Sequence, residues 1–212
     1  VRPRPEPGSP QPRLSRLEED RAVINRMGFN NQGIDRIAVR LARLSRPLPS
    51  GRGGGAGVPV GANIGINKTG ADPERDYPAL VARVKPYVQY IVLNVSSPNT
   101  PGLRGLQDAA RLRGILGAIA DRHPDRPPIL VKLAPDLEND AIAPIVEAVV
   151  EGGAQGLIIS NTTLERLPSL RSPYRDEAGG LSGRPLAPRA RAMLSIVAEV
   201  AAGRLALVAC GG

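Results

Sequence analysis

From residue 58 to its end the chain alternates short apolar runs with stretches of helical period, and no other feature limits the fold as strongly. The runs VPVGANI (58–64), VQYIVLN (88–94), ILVKLA (129–134), GLIISN (156–161) and LALVACG (205–211) read as strands. Between them, residues 76–85, 107–121, 138–151 and 186–202 repeat apolar side chains at three- and four-residue spacing, which predicts helices. Asp140 and Pro144 interrupt the third of these patterns and predict a late first turn, because proline has no N–H to give to a helix. Regular alternation of helices with continuously apolar strands implies a parallel sheet covered by helices.

The polar residues fall at one end of each unit. Asn63 follows the apolar part of its run, as do Asn94 and Ser97; Lys132 lies late in its strand; Ser160, Asn161 and Thr162 close theirs; Gly211 and Gly212 close the last. Carboxyl ends of parallel strands carry the ligand site in α/β folds, and in a closed (β/α)8 barrel they share one site. Five strands that each deliver polar groups to that edge favour an α/β fold of the (β/α)8 TIM-barrel type over an open sheet. A barrel usually takes about 250 residues. The 212 residues here start on Val1 and stop on glycines directly after a strand, so a segment of a longer chain with an incomplete barrel is expected. The letters GRGGGA (51–56) match a dinucleotide-binding pattern, but they lead into a strand where that motif needs a preceding strand and a following helix, so they read as a loop.

Composition removes several classes of function. A single Cys excludes an internal disulfide, and one Cys with one His leaves no cluster of soft metal ligands. Cys210 reads as a small buried apolar residue and His123 as a surface connector, neither with a role. No apolar run reaches membrane-spanning length, so a soluble globular segment is expected. The net charge is +8, and residues 1–52 supply +6 of it. A nucleic-acid face is one reading of that stretch; a solvated arginine-rich surface is the other, and it fits better with 25 Arg to 3 Lys, one Phe, four Tyr and no Trp.

Asn63, Asn94, Asn99 and Asn161 each offer one acceptor and two donors, a set suited to a flat heterocycle of alternating C=O and N–H groups. Singly each reads as a turn residue. Lys132, flanked by Val131 and Leu133, reads as a cation facing a ligand rather than one reaching out to solvent, since a buried lysine is costly without a negative partner. Gly183 and the Gly211–Gly212 pair admit close backbone approach to a phosphate or ring. No His, Cys, Asp or Glu stands at the strand ends as a proton acceptor. Ser96 and Ser97 remain, and serine is a poor base without a relay; as residues alone both read as capping or turn hydroxyls.

The blocks NRMGFNN (25–31), GANIGINK (61–68), NVSSPNTPGLR (94–104), LVKLAPDL (130–137), LIISNTT (157–163) and GGLSGRPL (179–186), in this order, resemble the class 2 dihydroorotate dehydrogenases along essentially the whole chain. The resemblance implies a barrel oxidoreductase that uses FMN to oxidise dihydroorotate to orotate in pyrimidine (UMP) biosynthesis and passes the electrons to a membrane quinone. It implies a peripheral place at the cytoplasmic face of the inner membrane, through an N-terminal segment that precedes Val1, and no metal. Ser97 would be the base for the C5 proton, with Thr100 and Phe29 lining its relay. Asn25, Arg26, Met27, Gly28, Phe29, Asn94, Asn99, Asn161 and Thr162 would surround the substrate. Asn63, Asn94, Lys132, Ser160, Gly183 and Gly212 would contact FMN; Ser160 stands where the family often has threonine. The family's first strand and its last strand would flank the chain, so these 212 residues alone are expected to fold poorly and hold FMN weakly. Against this stand another FMN barrel enzyme with a different substrate, and an inactive homologue that only binds ligand.

Overall fold

The computed structural model describes residues 1–44, 59–98 and 102–212. The expected loop at 51–56, the first residue of the 58–64 run, Asn99 and Thr100 lie outside these residues. Five strands, β3 (Gly61–Ile64), β4 (Tyr90–Asn94), β5 (Ile129–Leu133), β6 (Gly156–Ile159) and β8 (Ala206–Ala209), form one parallel sheet in the order β3-β4-β5-β6-β8. Every strand foreseen after residue 58 is present. Each is added on the same side of the one before, and the helices follow suit: α1 (Ile34–Leu44), α2 (Pro73–Val84), α3 (Ala109–Arg122), α4 (Asn139–Glu151) and α5 (Ala187–Ala201) pack each against the next. This is the winding of a (β/α)8 barrel, present in part, with β3 and β8 as the sheet's edges among the described residues.

The register separates the two faces. Ile64, Leu93, Val131 and Leu157 pair across the sheet and belong to one core cluster with Leu80, Leu112, Ile115, Val146, Val149, Met193 and Val197 from the helices. Burying a side chain of this kind contributes about 1.5–3 kcal/mol. The alternate positions form the other face, where Asn94, Lys132, Ile158 and Val208 pair in one row. Thus the period of two along each strand commits one face to the helices and leaves the other for polar side chains.

Helix starts follow their caps more closely than their apolar period. Asp72 accepts the Arg75 N–H at 3.3 Å with Pro73 in the first turn, so α2 begins three residues before the expected 76. Asp108 accepts from Ala110 and Arg111 at 3.0 and 3.3 Å and starts α3 at Ala109. The late start expected for α4 does not occur: the helix begins at Asn139 and runs through Pro144. Both Pro144 and Asp140, whose carbonyl the missing N–H would have served, are exposed, so that acceptor is open to solvent.

A second sheet had no counterpart in the sequence reading. β1 (Leu14–Leu17) and β2 (Ala22–Asn25) form a hairpin, and β7 (Gly180–Gly183) joins β2 antiparallel. Leu17, Ala22, Ile24, Leu170 and Leu181 make its small core. Asp20, at the hairpin turn, accepts the Ser172 and Arg171 N–H groups at 3.0 Å each and ties the hairpin to the segment before β7. This sheet brings residues 25–29 over the carboxyl end of the large one.

Candidate active site

Past the end of β4 the chain turns through Asn94, Val95, Ser96 and Ser97, all buried. The Asn94 carboxamide oxygen accepts from the Ser96 N–H at 3.3 Å and from its hydroxyl at 3.2 Å, which closes the turn on itself. The Asn161 amide NH2 donates to Ser96 Oγ at 3.0 Å, while its oxygen accepts the Thr162 N–H at 2.8 Å. Ser96 is therefore fixed between two asparagines, one at the end of β4 and one after β6. From α2, the fully buried Tyr77 hydroxyl donates to the Asn94 main-chain oxygen at 3.2 Å. Burial pushes that phenol far above its usual pKa, so it stays a neutral donor.

Ser97 has the other outlook. It lines a cavity of ≈ 220 Å³ together with Asn25, Met27, Gly28, Phe29, Asn94, Pro98, Asn161 and Thr162. Eight of the residues that the resemblance implied for substrate or base thus border one space, gathered from the loop after β2, the β4 loop and the β6 loop. Pro98 joins them without having been foreseen. Arg26 is on the same loop, but its guanidinium turns away to Glu177 at 2.8 Å and to the Pro12 carbonyl at 3.0 Å.

Two contacts hold the cavity's walls. Phe29 stands in the left-handed region (φ 57°), where bulky residues are rare, and Asn31 Nδ2 donates to its carbonyl at 2.7 Å. Behind its ring the fully buried Arg2 guanidinium lies 4.5 Å from the centroid and pairs with Glu6 at 3.2 Å. Burial works to raise the Glu6 carboxyl, but hydrogen bonds from Asn67 and the Lys68 N–H, with the Arg2 charge, hold it below the usual carboxylate range. On the opposite wall a Cβ at Gly180 would lie 1.9 Å from Thr162 Oγ1, so only glycine lets β7 pass this close.

The positions implied for a cofactor lie along the polar face of the large sheet. Asn94 and Lys132 are register partners; Asn63 lies two residues earlier in level, opposite Val92, and is exposed. Lys132 is half-buried, with Nζ 3.9 Å from Cys210 Sγ. Cys210 is exposed, against the expectation of burial, because it follows an edge strand with no outer neighbour among the described residues. His123 is half-buried as the C-cap of α3, with Nε2 2.9 Å from the Pro78 carbonyl. Ser160 is buried and donates to the Asn161 carbonyl at 2.8 Å. Gly183 ends β7 beside Arg21 and Ala22. Gly212 (φ 106°) rests on the first turn of α5, where a Cβ would meet Ala187 Cβ at 2.8 Å.

A one-way wound sheet with helices on its core face, and a serine- and amide-lined cavity over its carboxyl ends, defines part of a ligand-binding α/β barrel. The chain belongs to the dihydroorotate dehydrogenase family, whose profile matches residues 1–212. It is 48% identical over 219 residues to the dihydroorotate dehydrogenase (quinone) of Rhodospirillum rubrum, covering 100% of this chain and 56% of that protein. The enzyme of the same name from Erythrobacter litoralis is 46% identical over 213 residues, at 100% and 59% coverage. Among solved structures, a DHODH from Eimeria tenella in complex with ferulenol superposes with a TM-score of 0.93 at 38% identity, covering 99% of this chain and 61% of that one. The chain therefore spans less than two thirds of the length of these relatives. Among the described residues no helix is long and apolar enough to cross a membrane.

Tyr77, Arg104 and Asp136 are functional-site neighbours that sequence reasoning missed. Tyr77 carried no signal, since its partner is a main-chain oxygen 17 residues away. Arg104 and Asp136 lie inside two of the quoted blocks, and that was the signal available for them.

Proposed function

We propose that the protein to which this chain belongs oxidises dihydroorotate to orotate as a step of pyrimidine biosynthesis, with FMN as its flavin and a membrane quinone as final acceptor. On this reading residues 1–212 are one incomplete FMN-binding barrel domain, and membrane contact is made by a segment outside them. The observation that carries the reading is the division between two adjacent serines: Ser96 is held by Asn94 and Asn161, whereas Ser97 borders a cavity ringed by amides.

The donor set fits a flavin. Asn63 and Asn94 offer amides to a flat heterocycle, Lys132 offers a cation to offset negative charge on a reduced ring, and the Gly212 approach to the α5 N-terminus suits a phosphate, which helix N-termini favour. When bound, FMN supplies the hydride acceptor. The chain's own residues do the rest. Asn25, Asn94, Asn99, Asn161 and Thr162 hold the pyrimidine ring and its carboxylate. Ser97 Oγ takes the proton from substrate C5 as the hydride leaves C6, and the serine's own proton passes outward by a relay that Thr100 and Phe29 line. Serine is tolerable as a base here because fixed dipoles and positioning lower the barrier; positioning alone can contribute on the order of 7–11 kcal/mol.

The test uses the full-length protein with its flavin, mixed anaerobically with dihydroorotate while the flavin's visible absorbance is followed. Rapid bleaching that disappears in Ser97→Ala is the expected result. A bound flavin that dihydroorotate leaves oxidised would overturn the substrate assignment.

A further inference from the structure

We infer that Arg104 is a positioning residue for this reaction, holding the loop that bears the base in register with the loop that binds the substrate. The inference rests on the function proposed above. Arg104 lies in a 3-10 turn (Leu103–Gln107) after β4 and does not line the cavity. Its Nε donates to the Ser96 carbonyl at 3.3 Å and a terminal nitrogen donates to the Thr162 carbonyl at 2.9 Å. Its other terminal nitrogen pairs with the Asp136 carboxylate on the loop after β5. Asp136 in turn accepts the Thr163 hydroxyl and the Leu164 N–H, the latter at 3.2 Å. Gln107 fastens the base of the turn, donating to the Arg104 carbonyl at 3.3 Å and accepting the Ala134 N–H at 2.7 Å. One planar fork thus joins the loops after β4, β5 and β6.

The choice of acceptors is what gives this a consequence for chemistry. The Ser96 carbonyl belongs to the peptide unit that continues into Ser97, and a peptide unit is rigid, so fixing that oxygen fixes the direction from which Ser97 leaves it. The Thr162 carbonyl does the same for the unit between Thr162 and Thr163. Each loop also has its own local bonds, Asn94 with Ser96 and Asn161 with Thr162, so each keeps its internal shape without Arg104. Across the loops, the Asn161 amide already ties the β6 loop to the Ser96 hydroxyl; Arg104 adds a second tie, between the main chains themselves, and extends it to the loop after β5. Its nitrogens lie in one rigid plane that serves three acceptors together, a geometry that a lysine's single ammonium does not reproduce.

The experiment is made on the full-length flavin-loaded enzyme. In Arg104→Ala, flavin content and orotate affinity should be little changed, while anaerobic flavin reduction by dihydroorotate slows about a hundredfold, the scale of a misplacement near 1 Å. Added guanidinium ion should restore part of that rate in Arg104→Ala and none in wild type, and Arg104→Lys should stay slow. Wild-type reduction rates in Arg104→Ala would overturn the inference, as would a rate loss that tracks lost flavin or orotate binding without guanidinium rescue. If Arg104→Ala does not accumulate, a normal reduction rate in Arg104→Lys overturns it equally. A wild-type enzyme that holds flavin but is not reduced by dihydroorotate overturns the proposed function and this inference together. Fast wild-type reduction matched by the variant overturns this inference alone.

Discussion

Replacing the two neighbouring serines separately should divide stability from chemistry. Ser96 is fully buried and its hydroxyl makes two hydrogen bonds, to the Asn94 carboxamide oxygen at 3.2 Å and from the Asn161 amide at 3.0 Å. At about 1 kcal/mol net for each bond, Ser96→Ala loses about 2 kcal/mol, and it strands a buried Asn161 donor, which makes that figure a lower one. A loss of this size changes the folded-to-unfolded ratio by roughly thirtyfold. Ser97 borders the cavity proposed for the substrate, so Ser97→Ala is read in the reduction assay. Its cost falls on proton transfer, where a positioned base contributes about 10²–10⁴-fold. The assay is denaturant unfolding of the full-length protein at saturating flavin, beside anaerobic flavin reduction by dihydroorotate on the same samples. Saturation matters because bound flavin itself adds stability. Ser96→Ala unfolding at the wild-type midpoint would refute the assignment of its hydroxyl to the scaffold. Ser97→Ala reducing flavin at the wild-type rate would refute its assignment as base.

Three other perturbations read other parts of the structure. Gly180→Ala puts a methyl 1.9 Å from Thr162 Oγ1 and 3.1 Å from Pro98 Cγ, so it should destabilise by about 1–3 kcal/mol and weaken orotate binding as Thr162 is displaced; unchanged binding and unfolding would mean that this wall yields freely. Tyr77→Phe removes the donor to the Asn94 carbonyl and should cost about 1 kcal/mol in denaturant unfolding with the helix otherwise intact; a silent variant would remove Tyr77 from the site's support. The Arg171 N–H, working against desolvation and joined by the Ser172 N–H, holds the Asp20 carboxyl below its ordinary 3.8. Because its folded pKa is depressed, the tie it makes is fully present above 3.8 and is lost as pH falls through the lower folded value. Amide exchange at Arg171 and Ser172 should accelerate over that acidic window in wild type and show no such step in Asp20→Asn; identical profiles would rule out the carboxylate as the anchor.

The part of the fold that was legible in the sequence is the part made by repetition. β3, β4, β5, β6 and β8, with the four helices between them, each carry a period long enough to read. Their ends were less legible, because Asp72 and Asp108 set helix starts through single side-chain bonds that leave no periodic trace. Strand β7 reads GLSG, which offers one apolar side chain, and only its pairing with β2 across more than 150 residues joins it to the β1–β2 hairpin as a sheet. The residues alone gave the asparagines as a set suited to a flat heterocycle, each singly a turn residue; which of them share one cavity was legible only through the resemblance. Register and the second sheet are what bring Asn25, Asn94 and Asn161 to one space, and neither is a local property. Arg104 and Tyr77 bind main-chain oxygens at distant positions, and a carbonyl's partner cannot be read from the residue that owns it.

The same reasoning gives several of the chain's 25 arginines, against 3 lysines, a structural task. Arg4 donates to the Thr69 carbonyl, Arg13 to those of Ser9 and Pro7, and Arg126 to those of His123 and Gly153. Arg166 serves the carbonyls of Glu177 and Gly179, and Arg189 those of Pro135 and Leu137. Each of these acceptors lies outside the parallel ladder, in a loop or turn that has no neighbouring strand to supply its donor. A barrel that keeps its chemistry on such loops must satisfy their backbone without regular structure. A planar group with several donors in fixed directions does this at two or three oxygens together, which one ammonium does not. These five arginines thus direct their charge at main-chain oxygens of loops and turns.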